Sequence, residues 1–408
     1  MSVPEIDLTD PDLLKDPFAG YGKLREQAPI GRIPMPGIGS VWAVLRHQDA
    51  RTMLSDPRFA ITGGSFMRPP GIPEHCVPYL RTMSERDGAE HARLRRLATP
   101  AFTARKAAAM RPRIAAIVDR LLDDLPDRTD LLDSFAKPLP MEVICELVGI
   151  PAADRPLWRA AGAAVASGSP AGFAEAVPRV VEGATEALAR RKTAPGDDVL
   201  SELLRAHEGD RLDDTEMITL VWHLVLAGQT PTNFIANAVD ALLAHPDQLA
   251  VLRDDPALLP VAVDELIRWC GPALLSIPRY ASEEVELCGA VIGKGEAVSA
   301  VVASVNRDPR VFADPETLNL RALRQPGHLG FGHGPHYCLG ASLARVEAEV
   351  AIEALLRRFP ELTRAGEAQR APDPGTWRLM SLPLSLNGSR GSATESGGPG
   401  VAAGLPAG

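Results

Sequence analysis

The stretch 328–347, HLGFGHGPHYCLGASLARVE, carries the clearest chemical signal in the chain. Three glycines fall within five residues (Gly330, Gly332 and Gly334), and glycines give a loop unusual backbone freedom. Residues 338–340 (CLG) follow, and a helical spacing of apolar residues begins after them. A cysteine at such a junction lies where backbone N–H groups point outward, and these groups stabilise a thiolate.

Three interpretations of this loop compete. A phosphate loop is disfavoured because no Gly-Lys-Ser/Thr follows and no βαβ unit surrounds the glycines. For a zinc site, His333, His336 and Cys338 lie too close together for finger spacing, and no fourth ligand is evident. The third interpretation, a thiolate ligand for a large metal cofactor, accounts for both the glycines and the single cysteine.

Residues 331–340, FGHGPHYCLG, resemble the haem-binding signature of the cytochrome P450 family, Phe-Gly-x-Gly-x-His-x-Cys-x-Gly, at every position. The resemblance implies haem b as cofactor, with Cys338 as the axial thiolate on the iron and His336 hydrogen-bonded to a propionate. It also implies that Phe331 packs beside the sulfur. Close backbone approach to the cofactor is expected at three glycines: Gly332, Gly334 and Gly340.

Two further segments resemble the family's propionate-binding parts. HARLRR, residues 91–96, implies that His91 and Arg95 hold a propionate, and IPRYA places Arg279 where the family uses another arginine. A solvated basic helix is the alternative explanation of the first segment.

The segment DELIRW resembles the family's Glu-x-x-Arg pair and implies a structural ion pair, Glu265 with Arg268, behind the haem. An ordinary surface pair at i,i+3 is the alternative. The family's meander usually carries an arginine followed by an aromatic residue, whereas Thr317 and Leu318 occupy these places. We therefore expect a weaker ion-pair network, with haem ligation unaffected.

The fold class implied is mainly α with small β-sheets, a single-domain P450 fold in which a triangular helical prism surrounds haem. The domain is expected to span 1–387, and the low-complexity segment 388–408 is expected to be a disordered tail. Apolar spacing predicts helices over 106–125, 139–149, 173–193, 213–245, 257–269 and 339–358, and strands over 40–46, 285–291, 296–303 and 378–386.

The segment LAGQTPTN within 213–245 is unusual because a proline lies inside a helical pattern. Aligned with the family's distal helix, Ala227 and Gly228 begin the motif, Thr230 takes the acid position and Pro231 takes the alcohol position. An acid and an alcohol normally position the water that delivers protons during oxygen activation. Proline has no proton to give, so this chain departs from the usual arrangement.

Two interpretations of the departure remain open. In one, Thr230, Thr232 or ordered waters deliver the protons, and Pro231 opens the helix by freeing the carbonyl of Ala227. In the other, the hydroxylation machinery is altered, and the enzyme relies on a hydroxyl or amine of the substrate or performs radical coupling or ring closure.

Composition excludes several classes of protein. A net charge of −9 gives nucleic acid no general electrostatic reason to bind. Five scattered cysteines without a CxxC pair argue against a disulfide framework and a structural zinc site. No apolar run is long enough for a bilayer, and the acidic N-terminus lacks a secretory pattern. We expect a cytoplasmic monomer that binds neither nucleic acid nor membrane.

Seven basic residues and no acid lie between His91 and Arg113. A solvated helix surface is one explanation; a docking patch for an acidic ferredoxin is the other. Since no flavin or nicotinamide domain is recognisable, electrons are expected from a ferredoxin and its reductase. The candidate docking residues are Arg93, Arg96, Arg105, Lys106, Arg111 and Arg113.

The function expected is a haem-thiolate monooxygenase that uses O2 and two electrons to hydroxylate or epoxidise a moderately hydrophobic small molecule in secondary metabolism. Alternatives are a coupling or cyclisation enzyme without net oxygen insertion and, least favoured, a catalytically silent haem-binding partner subunit. By family analogy the pocket is lined by 60–88, 165–180, Leu226, Thr230, 274–277 and the turn near Trp377.

Overall fold

A computed structural model describes residues 3–35, 39–66, 68, 70–166, 169–208, 212–325 and 327–387. The helices are α1 Pro11–Lys15, α2 Pro17–Gln27, α3 His47–Ser55, α4 Gly88–Ala98, α5 Ala104–Asp123, α6 Pro138–Val148, α7 Arg155–Ala166, α8 Pro170–Thr193, α9 Val199–Glu208, α10 Asp214–Ala227, α11 Pro231–Ala244, α12 Pro246–Asp254, α13 Leu259–Cys270, α14 Val302–Val305 and α15 Ala341–Arg358. The strands are β1 Ile30–Met35, β2 Gly39–Val44, β3 Phe59–Ala60, β4 Arg128–Asp130, β5 Arg279–Ala281, β6 Val285–Leu287, β7 Ala290–Ile292, β8 Ala297–Ala300, β9 Thr363–Arg364, β10 Gln369–Arg370, β11 Leu379–Ser381 and β12 Pro383–Ser385. The mainly helical fold with small sheets is confirmed. The tail predicted at 388–408 lies outside the described residues, and the boundary at 387 stays a prediction.

The largest sheet has the strand order β1-β2-β8-β5-β3. Side chains alternate across it, so Trp42 joins one apolar cluster while Val41 joins another on the opposite face. The strand predicted over 296–303 is shorter than expected, because the chain leaves the sheet after Ala300 and turns into α14. The sheet matters for the site because β5 begins with Arg279.

A single large cluster of buried apolar residues joins the long helices. Helix α15 packs against α5, α11 and α13, so the helix that follows Cys338 is anchored in the centre of the core. Among the described residues, we find no helix that combines the length and the apolar character needed to cross a bilayer.

The prediction of one helix over 213–245 is wrong. Helix α10 begins after Asp213, whose side chain accepts a hydrogen bond from the N–H of Glu216 as a capping residue, and it ends at Ala227. A separate helix, α11, begins at Pro231. Proline is well tolerated in the first helical position, since that residue's N–H has no partner within the helix. Pro231 therefore lies at the start of a helix, where the cost of a proline inside a helix does not arise.

One carboxyl group in the core of α15 has no visible partner. Glu347 is 1% exposed, and its Oε1 makes no hydrogen bond within the described structure. Burial raises the pKa of this carboxyl well above its ordinary value, because no charge compensates its desolvation. Burial therefore favours the protonated, neutral form of Glu347 in the folded protein.

Glu347→Gln is expected to flatten the dependence of stability on pH. A raised folded-state pKa favours folding below the unfolded-state pKa of about 4.5, and this contribution is lost as pH rises through the folded-state pKa. The variant's free energy of unfolding should gain on that of the native protein by up to about 1.4 kcal/mol per pH unit between about pH 4.5 and the folded-state pKa. Urea unfolding at a series of pH values measures this difference. Glu353→Gln, on the same helix but partly exposed, is the control; an equal trend in both variants would contradict the assignment.

Candidate functional site

The loop before α15 is folded tightly around its cysteine. The N–H of Cys338 donates to the carbonyl of Phe331 at 2.8 Å. Gly332 and Gly334 have φ values of +74° and +73°, which favour glycine over residues with a side chain. A Cβ on Gly334 would also lie 2.5 Å from the carbonyl oxygen of Leu54 in α3. The glycines therefore let the loop turn sharply and press against α3.

Cys338 is the exposed member of the five cysteines. Its thiol is nonetheless walled by protein on its remaining sides, and this burial raises its pKa. The N–H of Gly340 and the guanidinium groups of Arg95 and Arg345 act in the opposite direction and favour the thiolate. An accessible sulfur with donors and cations around it suits metal ligation. A Cβ on Gly340 would meet nothing within 4 Å, which fits close approach of a flat group.

The predicted propionate-binding residues come together beside this loop. The rings of His91 and His336 are stacked with centroids 4.0 Å apart. Arg95 donates to the carbonyl of Tyr337 at 2.5 Å. Arg279, which is buried, donates to the carbonyl of Leu54 at 2.7 Å.

The charges in this cluster are unbalanced. Burial lowers the pKa of His91 to about 4, helped by the neighbouring His336 and Arg95. Burial also lowers the pKa values of Arg95 and Arg279. Asp87 is the carboxylate within the cluster; it accepts from His336 at 3.3 Å and from the N–H of Ile61 at 2.9 Å. Two guanidinium groups beside histidine rings, with one carboxylate among them, fit the carboxylates of a haem propionate pair.

The residues predicted to line the oxygen side of the haem lie at the break between α10 and α11. The hydroxyl of Thr230 donates to the carbonyl of Ala227 at 2.8 Å, and the N–H of Thr230 approaches the same oxygen at 3.2 Å. The expectation that Pro231 frees this carbonyl is therefore wrong, because Thr230 supplies the replacement donor. Thr232 is half-buried, and no hydrogen bond of its hydroxyl is seen within the described structure.

Gly228 serves packing at this break. A Cβ at Gly228 would lie 2.4 Å from Cγ1 of Ile144 in α6, so α10 can end this close to α6 only with glycine there. The side chain of Gln229 lies over Gly162 of α7, where an added Cβ would be 2.0 Å from it. Two glycine contacts therefore fix the position of the break against neighbouring helices.

The ion pair predicted from DELIRW is buried and stronger than expected. Glu265 accepts from Arg268 at 2.7 and 2.8 Å and from Arg324 at 2.7 and 2.9 Å. The expectation of a weakened network is wrong, because Arg324 supplies a second arginine from farther along the chain. Thr317 still takes part, through its carbonyl oxygen, which accepts from Arg268 at 3.3 Å.

The network reaches the cysteine loop through a residue that sequence reasoning missed. Arg268 donates to the carbonyl of Asn306 at 3.0 Å, and the side-chain oxygen of Asn306 accepts from the N–H of Leu329 at 2.7 Å. Leu329 in turn accepts from Gly332 at 2.9 Å. Burial alone would raise the pKa of Glu265, but Arg268 and Arg324 outweigh it and hold the pKa below its ordinary value. Glu265 is therefore the charged centre of the scaffold behind the loop.

The residues predicted to line the pocket differ in how far they are exposed. Leu274 is buried in an apolar cluster beside the sheet and is a core residue. Ile277 is 42% exposed, and Leu226 keeps partial exposure on α10.

Comparisons with known proteins agree with this geometry. The family model described as Cytochrome P450 matches residues 173–386. The chain is 38% identical to the cytochrome P450 monooxygenase PikC of Streptomyces venezuelae, over 97% of this chain and 98% of that protein. It is 40% identical to the mycinamicin IV hydroxylase/epoxidase of Micromonospora griseorubida, over 90% and 94%. The tirandamycin C-bound structure of the P450 monooxygenase TamI superposes with a TM-score of 0.83 at 34% identity, covering 94% of this chain and all of that one.

Proposed function

Because the chain belongs to the cytochrome P450 family and is thus a monooxygenase with haem b as its cofactor, we propose that it oxidises a moderately hydrophobic small molecule of secondary metabolism. Similarity to a mycinamicin IV hydroxylase/epoxidase and to a monooxygenase with tirandamycin C bound supports this substrate class. The observation that carries the proposal is the accessible Cys338 sulfur beside the cluster of His91, Arg95, His336 and Arg279.

Each part of the site has a separate role in this proposal. Cys338 would ligate the iron, and Arg95 and Arg279 with the rings of His91 and His336 would bind the propionates. Haem held by a cysteine thiolate supplies the activation of O2 for insertion into a C–H or C=C bond. Glu265 and its two arginines keep the cysteine loop in position through Asn306. The break between α10 and α11 provides the hydroxyl groups that deliver protons.

The product distinguishes insertion from coupling. A screen of macrolactones, steroids and fatty acids by spectral shift identifies a ligand that is also turned over. In reactions under labelled O2, we expect the product to gain one labelled oxygen atom. A product that instead lacks two hydrogens would establish oxidative coupling or cyclisation, the candidate favoured by Pro231 in the usual alcohol position.

We propose Thr232 as the main protein hydroxyl for proton delivery, since the hydroxyl of Thr230 is already bonded to Ala227. Thr232→Ala is expected to lower product formed per NADPH consumed by at least about tenfold, because general acid assistance contributes 10²-fold or more. Thr230→Ala should change this ratio far less, and Thr232→Ser should restore it. Equal coupling in Thr232→Ala and the native enzyme would assign proton delivery to water or substrate.

We further propose a separate ferredoxin as electron donor, but with a narrower docking patch than the sequence suggests. Several of the candidate cations already contact acids: Arg93 with Glu216, Lys106 with Asp197 and Glu202, Arg111 with Glu349, and Arg113 with Glu146. Arg96 and Arg105 are exposed, and within the described structure neither lies in an ion pair. These two therefore remain available to attract an acidic partner.

Reversing both charges, Arg96→Glu with Arg105→Glu, is expected to slow reduction by an acidic plant-type ferredoxin about tenfold at low salt, since surface charge acts on the association rate. The difference should shrink as salt is added. Arg253→Glu, an exposed arginine on α12, is the control. An equal loss in the control would show a general charge effect.

A further inference from the structure

One face of α10 is unlike the rest of that helix. Between Glu216 and Val225 the helix is almost wholly buried. Solvent-accessible surface occurs at His223, Leu226 and Ala227, a spacing of i, i+3 and i+4 that places them on one face. This face includes the predicted oxygen-side residue Ala227. His223 is its one titratable side chain.

The hydrogen bonds of His223 determine where its proton lies. Its Nε2 lies 3.1 Å from the hydroxyl oxygen of Ser84, and its Nδ1 is buried without a partner in the described structure. Burial lowers the pKa of His223 to about 4, so the ring is neutral at pH 7 and carries one N–H. A proton on Nδ1 would be a buried donor without an acceptor, which is costlier than a buried acceptor without a donor. The favoured tautomer carries the proton on Nε2 and donates it to Ser84.

Ser84 then has its own hydrogen left to donate. Its hydroxyl oxygen accepts from His223, so its O–H is not used in this contact. Ser84 is half-buried and lies on the short 3-10 turn Met83–Glu85. The preceding 3-10 turn, Glu74–Leu80, is also fixed to α10, because Thr219 at 3.4 Å and Trp222 at 3.2 Å both donate to the carbonyl of Tyr79. The hydroxyl is thus held in a defined place beside the accessible face of α10.

We propose that Ser84, positioned by His223, donates its hydroxyl hydrogen to an oxygen atom of the substrate. The substrate therefore carries a carbonyl, ether or hydroxyl oxygen at the end that rests between the Met83–Glu85 turn and α10. Ser84 is the binding residue and His223 a positioning residue. The inference rests on the proposed function, because it assumes that this face of α10 borders the substrate pocket.

The test uses iron-binding probes, since these are anchored independently of the substrate. 4-Phenylimidazole and its ortho, meta and para hydroxyphenyl analogues are titrated into the haem-loaded protein and followed by the haem spectrum. We expect at least one hydroxyl isomer to bind about fivefold more tightly than the parent, the size of one neutral hydrogen bond. Ser84→Ala and His223→Leu should abolish this preference. His223→Gln, which keeps an N–H near the place of Nε2, should retain most of it.

Each outcome is decisive. If all four probes bind but no isomer is preferred, or if the preference survives Ser84→Ala, the inference is overturned while the haem site stands. If no probe shifts the spectrum and the reduced protein lacks a thiolate-type CO spectrum, the proposed function fails and the inference with it.

The tautomer gives a second readout: nitrogen-15 NMR of labelled histidines in the reduced CO form, assigned with His223→Gln, should show the proton on Nε2. A proton on Nδ1 would overturn the inference.

Discussion

The Cys338→Ala variant is expected to lose the thiolate-type absorption of the reduced, CO-treated protein. The substitution removes the one exposed cysteine sulfur and leaves the surrounding cations in place. Product formation should fall by more than about 100-fold, since even partners of metal ligands cost 10–100-fold when removed. Absorption spectra of the native and variant proteins, recorded at equal haem content, measure the change.

Cys288→Ser is the matched control, because Cys288 is the other cysteine with partial exposure. It should keep the native spectrum and activity. Identical haem spectra in Cys338→Ala and the native protein would refute thiolate ligation by Cys338. Cys338→Ala should still fold, because the fold around the loop depends on backbone hydrogen bonds such as that from the N–H of residue 338 to the carbonyl of Phe331.

Loss of Glu265 is expected to be the most destabilising single change in the scaffold. Glu265→Ala leaves Arg268, which is 2% exposed, and the half-buried Arg324 without their anion. Removing one partner of a buried ion pair costs about 3–5 kcal/mol. Urea unfolding of the haem-loaded protein measures this loss of stability. The fraction of haem lost on gel filtration reports whether the cysteine loop still holds the cofactor.

Arg324→Ala separates the contribution of Arg324 to stability from that of Arg268, the partner expected from the sequence. Glu265 would keep Arg268, so we expect a smaller loss of about 1–3 kcal/mol. Because the pKa of Glu265 is lowered in the folded protein, its contribution is present above about pH 4.5 and disappears as pH falls through the folded-state value. The difference between Arg324→Ala and the native protein should therefore narrow on acidification. No change in Arg324→Ala at pH 7 would show that Arg268 alone compensates Glu265.

The chemistry at the cysteine loop was predictable because it depends on neighbours in sequence. Gly332, Gly334 and Cys338 lie within seven residues, and their backbone geometry is fixed locally. Pairs at i,i+3 such as Glu265 with Arg268 are also local, so they too can be recognised in the sequence. These patterns identified the family and its cofactor.

The features that sequence reasoning missed depend on tertiary contacts. Arg324 reaches Glu265 across 59 positions, and Ser84 reaches His223 across 139. The basic run after His91 looked unpaired because its acids, such as Glu349, lie far along the chain. Helical periodicity continued across Pro231 because both α10 and α11 are buried on most sides, so the break left no gap in the apolar pattern.

The position of Pro231 affects when the break between α10 and α11 forms. A bend in an uninterrupted helix can straighten and re-form, so its population changes with what is bound. Here the ring of Pro231 fixes its own φ, and the contact of Gly228 with Ile144 holds the preceding turn. The break between α10 and α11 is thus formed during folding and should not change with what is bound.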